Sequence, residues 1–207
     1  MSFNSPWCVI ANLSTCSKGW QKWKLKLETY GIPHSFHLTY SLEEVSAVIR
    51  HQLNQQRHHF LFAGGDGTLH HGGNLLLQLS GELSKKLIIG VLPCGSGNDW
   101  ARTFGITEEH IITALKQRSS TDLNLLLVEF PDGRKHYAFN MVGGALDAAV
   151  VESLNATKFK IPGSVKYPIA LLKTLMKPHV WYGSLNVDGK ILNGDWMTIQ
   201  AGFGKYC

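Results

Sequence analysis

Short apolar runs alternate along this chain with longer segments in which apolar residues recur every three or four positions. "WCVIAN" (7–12) is almost unbroken apolar sequence and predicts a buried strand. "GWQKWKLKLETYG" (19–31) reads as a helix closed by a glycine, and "HSFHL" (34–38) as a second strand. After Thr39, "SLEEVSAVIRHQLN" holds Ser41 and Glu44 at capping-box spacing, where a hydroxyl and a carboxylate satisfy the free N–H groups of a helix start. "HFLFAG" (59–64) predicts a third strand, "LHHGGNLLLQL" (69–79) a helix and "LIIGVLP" (87–93) a fourth strand. "TEEHIITALKQ" (107–117) predicts a helix whose acidic first turn complements its dipole. Strands alternating with helices imply βαβ units and an α/β, Rossmann-like domain with a mostly parallel sheet.

Near residue 120 the pattern changes. "TDLNLLLVEF" (121–130) and "KHYAFNMVGG" (135–144) read as strands joined by the Asp-Gly turn of "PDGR". After a helix at about 164–176, "WYGSLNV" and "WMTIQAG" repeat the theme around "DGK". The expected organisation is an α/β domain over 1–119 and a mainly antiparallel domain over 120–207. The second sheet looks unfinished, because "TIQAG" has no partner strand after it, so a fragment or self-association into a homo-oligomer is expected. The stretch "YPIALLKTLMKPHVWY" (167–182) has spacing suited to a packed helix, with contact to a membrane surface as the lesser reading.

Composition adds bounds. With 44% hydrophobic and 17% charged residues, the 207-residue chain has ordinary globular content. A net charge of +5 favours anionic partners such as nucleotides or acidic membranes, while the lack of a Lys/Arg run argues against nucleic acid. Cys8, Cys16, Cys94 and Cys207 form no CxxC pair, which predicts free thiols in a reducing compartment, with Cys94 as packing rather than nucleophile. No signal peptide and no transmembrane segment is legible, so the expected location is cytoplasmic, with a peripheral approach to membranes.

The chemistry lies in two glycine-rich stretches, "GGDGT" (64–68) and "PCGSGND" (93–99), each read as a loop leaving the carboxyl end of a parallel strand. Glycines let backbone N–H groups converge on an anion, and a following helix N-terminus favours phosphate. Thr68 and Ser96 add hydroxyls. Asp66 would repel phosphate directly, so its tasks are to hold Mg²⁺ or to orient an attacking hydroxyl in phosphoryl transfer. Neither a Walker A loop nor a dinucleotide G-x-G-x-x-G follows the first strand.

"GGDGTLHHGGNLLL" and "IGVLPCGSGNDWARTFGI" resemble the diacylglycerol kinase catalytic domain family, which includes bacterial lipid kinases and sphingosine kinases. "VIANLS", "FNMVGGALDAAV" and "TIQAGFG" extend the resemblance along the chain. It implies an ATP- and Mg²⁺-dependent lipid kinase with an NAD kinase/diacylglycerol kinase-like architecture. A C-terminal β-sandwich domain, incomplete here, would follow the α/β domain, with the active site in the cleft between them. The acceptor is a primary hydroxyl of diacylglycerol or of a sphingoid-type lipid. Asp66 is implied near the γ-phosphate. Gly64, Gly65, Gly67, Thr68, Gly95, Ser96, Gly97 and Asn98 are implied around the nucleotide, and Asn12, Ser14 and Thr39 as further contacts. Lys18, Asp99 and Asp122 form a second tier of cleft residues. Two departures stand out: "NLSTCSKG" lacks the family's early proline and glycine, and His70-His71 replaces the usual Asn-Glu. The family's general base is expected beyond Cys207. A nucleotide-binding but inactive homologue is the alternative reading, and a soluble-substrate kinase such as an NAD kinase ranks below it.

Overall fold

In β1 (Trp7–Asn12), successive side chains enter two different cores. Trp7, Val9 and Ala11 face one, Cys8 and Ile10 the other. Such two-sided burial is why this strand is apolar throughout rather than alternating. The computed structural model describes residues 5–13, 16, 19–95, 97–156, 163–176 and 180–202. It shows β1 in the interior of a four-stranded parallel sheet with β2 (His34–Thr39), β3 (His59–Gly64) and β4 (Ile88–Pro93), in the order β2-β1-β3-β4. Leu61 and Ala63 of β3 share the first core with Trp23 and Leu27 of α1 (Gly19–Thr29). Phe60 and Phe62 share the second with Val45 and Ile49 of α2 (Leu42–Asn54) and Leu69 and Leu76 of α3 (Asp66–Ser80). Each fully buried Leu, Ile or Phe contributes about 1.5–3 kcal/mol.

The strand order reverses between β1 and β3, since β2 lies on one side of β1 and β3 on the other. Ligands of open α/β sheets bind beyond the carboxyl ends at such a switch point. Here those ends carry Asn12 and Gly64.

The predicted α2 start is present in modified form. Ser41 Oγ accepts from Glu44 N–H, but the Glu44 carboxylate accepts from Tyr40 N–H, one residue before the cap. In α3, Gly72 and Gly73 allow two rings to approach: an added Cβ would lie 2.4 Å from Phe62 and 2.4 Å from Phe139, respectively. Neither α4 (Asp99–Thr103) nor the short 3-10 turn Gly81–Lys86 was expected, whereas α5 (Glu108–Gln117) falls within the predicted 107–117, its N-terminus capped by Thr107 Oγ1, which accepts from His110 N–H.

Past residue 120 the pairing differs from expectation. The "LNLLLV" run yields only β5 (Leu126–Glu129), paired with β6 (Lys135–Ala138) around Gly133 at φ 82°. The single strand expected over 135–144 divides into β6 and β7 (Met141–Ala145), which belong to different sheets. Asn74 decides where β6 goes: its Oδ1 accepts from Tyr137 N–H and its Nδ2 donates to Tyr137 O, holding the hairpin on α3.

The chain divides into two compact units, the first running to Asn140 and the second beginning at Met141. Within the second, α6 (Leu146–Ala156) and α7 (Gly163–Leu175) accompany two antiparallel pairs. β10 (Thr198–Gly202) pairs with β7, not with β8 (Trp181–Val187) as the sequence pattern suggested. The partner of β8 is β9 (Lys190–Trp196), reached through Asp188 and Gly189, both at positive φ as a tight hairpin turn requires. Asp147 at the head of α6 accepts from Thr198 Oγ1 and Gln200 Nε2, binding helix to strand. Among the described residues no helix is long and apolar enough to cross a membrane.

Candidate active site

The first glycine stretch is scarcely a loop. Only Gly65 separates β3 from α3, so Asp66, Gly67 and Thr68 form the first helical turn, where 64–68 was expected to be irregular. Gly65 O accepts from Thr68 N–H and Leu69 N–H, closing that turn. Packing dictates Gly64, because an added Cβ would fall 2.2 Å from Thr68 Oγ1. Around Gly67 such a Cβ would meet nothing within 4 Å, so no neighbour in the fold demands glycine there.

The second stretch is a loop built on the first. Cys94 N–H donates to Gly64 O, and Gly95 lies against Gly65 so closely that a Cβ on Gly95 would be 2.5 Å from Gly65 Cα. Asn98 takes a left-handed conformation (φ 55°, ψ 41°) and folds back: its Oδ1 accepts from Gly95 N–H and its Nδ2 donates to Gly95 O. Asparagine tolerates this backbone region better than most residues, and its side chain closes the turn.

Asp66 joins the two. Its Oδ2 accepts from Asp99 N–H at 3.0 Å and its Oδ1 from Trp100 N–H at 2.9 Å. A carboxylate from one βα junction thus holds the start of the short helix at the next. Asp99 comes to the same place. A Cβ on Gly97 would lie 3.4 Å from Asp66 Oδ2 and 3.4 Å from Asp99 Oδ2, so two carboxylates converge on one side-chain-free position. Arg102 Nη1 donates to Asp99 Oδ1 at 3.0 Å and offsets part of that charge. Among the described residues no group of three or more His, Cys, Asp or Glu is placed to hold a metal by itself. A hard cation held by one or two carboxylates together with phosphate oxygens needs no such cage.

Other candidates fall on the same rim or away from it. Asn12 and Thr39 are register partners at the ends of β1 and β2. Thr39 is 1% exposed and its hydroxyl donates to Ala11 O, so its visible role is to tie the two strands. Asp122 sits on the exposed segment between α5 and β5, and no described contact joins it to Asp66 or Asp99. Ser14, Lys18 and Ser96 lie outside the described residues. His70, one turn into α3, is half-buried beside His71 and stacks on His136 with ring centroids 6.4 Å apart. Burial, then the His71 and His136 charges, hold its pKa below the ordinary value. A depression of about 390 Å³, lined by Leu77, Gly81, Ser84, Lys85, Leu125 and Tyr137, lies at the opposite end of α3 from these groups.

One feature went unread in the sequence: Cys16 and Cys94 form a disulfide, with Cα atoms 5.6 Å apart. Two of the cysteines expected to be free thiols are therefore paired. No local signal marks the pair: one cysteine follows β1 and the other β4, and only the strand order brings both beside β3.

Residues 6–126 match the diacylglycerol kinase catalytic domain. The chain belongs to that family. Two Staphylococcus aureus proteins, "Putative lipid kinase SAS0691" (strain MSSA476) and "Putative lipid kinase MW0688" (strain MW2), are each 28% identical to it over 145 residues. Each alignment takes in 69% of this chain and 45% of the relative, so the chain spans less than half the length of these proteins. The solved structure titled "Crystal structure of a putative diacylglycerol kinase from Bacillus anthracis str. Sterne" has a similar fold, with a TM-score of 0.65 at 14% identity. That likeness covers 97% of this chain and 67% of the other.

Proposed function

We propose that the protein is an ATP-dependent lipid kinase that transfers the γ-phosphoryl group to a primary hydroxyl of diacylglycerol or a sphingoid-type lipid. The observation that carries the proposal is the joining of both glycine stretches by Asp66 beside Asp99, within a chain of this family. Backbone at Gly65, Gly67, Gly95 and Gly97 would cradle the phosphates, with Thr68 and Ser96 supplying hydroxyls and Asn12, Ser14 and Lys18 further nucleotide contacts, while buried Thr39 would act only by tying β2 to β1. Asp66 and Asp99 are the groups that would hold Mg²⁺, whose bound charge offsets that building on the phosphates. The acceptor oxygen forms its bond to the γ-phosphorus as the bond to the β–γ bridging oxygen breaks, leaving ADP, and the proton of the acceptor hydroxyl is released to water. Asp66 orients this arrangement through the α4 start. The companion β-sandwich and a cytoplasmic, membrane-peripheral location belong to the same reading.

A second reading, a nucleotide-binding protein without catalysis, is favoured by one observation. Each Asp66 oxygen already accepts one backbone N–H, which gives this carboxylate a structural task that needs no catalysis. Radiolabelled γ-ATP with Mg²⁺ and vesicles containing diacylglycerol or sphingosine separates the two. A labelled lipid supports the kinase; nucleotide binding with no labelled lipid supports the second reading. Labelled NAD product in detergent-free buffer would instead indicate a soluble-substrate kinase and overturn both.

A further inference from the structure

The Cys16–Cys94 bridge crosses the end of β3. In the sheet order, β1 and β4 are the two neighbours of β3, so a bond from the segment after β1 to the segment after β4 spans the Gly64–Gly65 corner. Each cysteine is also anchored through its backbone: Cys16 N–H donates to Asn12 O at the end of β1, and Cys94 N–H to Gly64 O at the end of β3. The next residue, Gly95, presses on Gly65 and is gripped by Asn98. Behind the bridge, Gly19 at the start of α1 packs so tightly that an added Cβ would stand 2.4 Å from Cys94 Cβ and 3.3 Å from Cys16 Sγ. Trp23 Nε1, one turn on, donates to Pro93 O. Three segments of the proposed nucleotide rim thus meet on one covalent bond.

We infer that Cys16–Cys94 is a reversible redox modification site, whose oxidised form holds the β1 and β4 termini in the geometry that binds nucleotide. This inference rests on the nucleotide-binding reading above. Its co-reactant is a dithiol. A dithiol thiolate attacks one sulfur of the bridge, giving a mixed disulfide and releasing the other cysteine as thiolate. The second dithiol sulfur then displaces the first cysteine. Two electrons and two protons pass to Cys16 and Cys94, and the dithiol leaves as its disulfide. Cys94 is the partly exposed member and the accessible point of attack, whereas Cys16 is 1% exposed. Cys8 stands apart from the exchange, because burial pushes its thiol up to about 12 and keeps it protonated and inert. Reduction frees the segment after β1 from the Gly95 turn, so binding must then supply the ordering that the bridge had supplied in advance.

The test uses the 207-residue chain in a Cys207→Ser background, oxidised and dithiol-reduced, with a Cys16→Ser/Cys94→Ser variant as the permanently open form. Non-reducing peptide mass spectrometry should find the Cys16–Cys94 cross-link, and its absence after mild oxidation overturns the inference. Hydrogen exchange at the amides of 64–68 and 95–99 should quicken about tenfold on reduction, as local opening becomes easier. The Kd for Mg-ATP, read by calorimetry, should rise about threefold or more. Faster exchange with an unchanged Kd, or unchanged exchange, overturns the inference while leaving the nucleotide-binding reading intact. Loss of Mg-ATP binding in both redox forms overturns that reading and the inference with it. The serine variant should match the reduced chain; matching the oxidised chain would also overturn the inference.

Discussion

The two glycine junctions of the parallel sheet perform similar turns by opposite means. At Gly64–Thr68 the strand passes into a long helix almost without a loop, and its shape is set by sterics, with Gly64 against Thr68 and Gly65 against Gly95. At Pro93–Asp99 the described residues are held by bonds rather than by packing: Asn98 closes on Gly95, Asp66 holds the α4 start, and Cys94 is hydrogen-bonded to Gly64 and disulfide-linked to Cys16. The first junction is therefore a template and the second is cast on it. The difference arises because fifteen residues of α3 bury Leu69 and Leu76 behind the first junction, while α4 has only five residues and one buried side chain, Ala101.

That hierarchy can be broken most severely at the residue that links the two. Asp66→Asn keeps one oxygen acceptor but turns an amide NH₂ toward a backbone donor, detaching the α4 start. In the proposed lipid kinase, phosphoryl transfer should fall about 100-fold or more, while circular dichroism and hydrogen-exchange protection of the β1–β4 sheet stay near wild type. Retained turnover would refute the linking role.

Gly95→Ala should be next. Its Cβ would meet backbone at 2.5 Å, which cannot rotate away, so we expect about 1–3 kcal/mol of destabilisation in urea unfolding. If the template is the first junction, exchange should rise at 95–99 more than at 64–68. Asn98→Ala should cost about 1–2 kcal/mol through two lost hydrogen bonds and a left-handed backbone. Asn98→Gly should cost less, since only the bonds are lost. Gly67→Ala sharpens the comparison from the other direction. With open space around it and a gain of up to about 1 kcal/mol in helix propensity, it should leave Tm unchanged or slightly raised while weakening Mg-ATP binding.

The smallest effect is pH dependence. His70, like His37 and His59, has its pKa lowered chiefly by burial from an ordinary 6.5. The unfolded chain therefore takes up protons first as pH falls, and stability present above 6.5 declines below it until the folded pKa is passed. Urea midpoints measured from pH 7.5 to 5 should decline, and His70→Gln should flatten part of that slope. An unchanged slope in the variant would exclude His70 from it.

Much of the first unit was legible because its signals are local. The bounds of β1 and β3 follow from uninterrupted apolar runs that a buried parallel strand requires, the start of α2 from the hydroxyl that caps it, and that of α5 from its acidic first turn. The candidate site was legible as residue types for the same reason, since glycines and an aspartate after a strand already restrict the chemistry. Past residue 120 the local signal misled. "KHYAFNMVGG" has the pattern of one strand, yet Asn74 fastens its first half to α3 and β10 takes the second.

The alternation of strands and helices through the first 120 residues, the burial of β1 and the glycine-flanked acid were written in the sequence, because periodicity and backbone sterics act over a few residues. Only the tertiary structure decided that Asp66 serves the helix start 33 residues later, that Cys16 finds Cys94 across β3, and that β10 pairs with β7 rather than with β8. Those choices depend on which segments meet after the sheet has assembled. Hydrogen-bond and disulfide partners are selected by distance in space, which the spacing of residues along a chain does not encode.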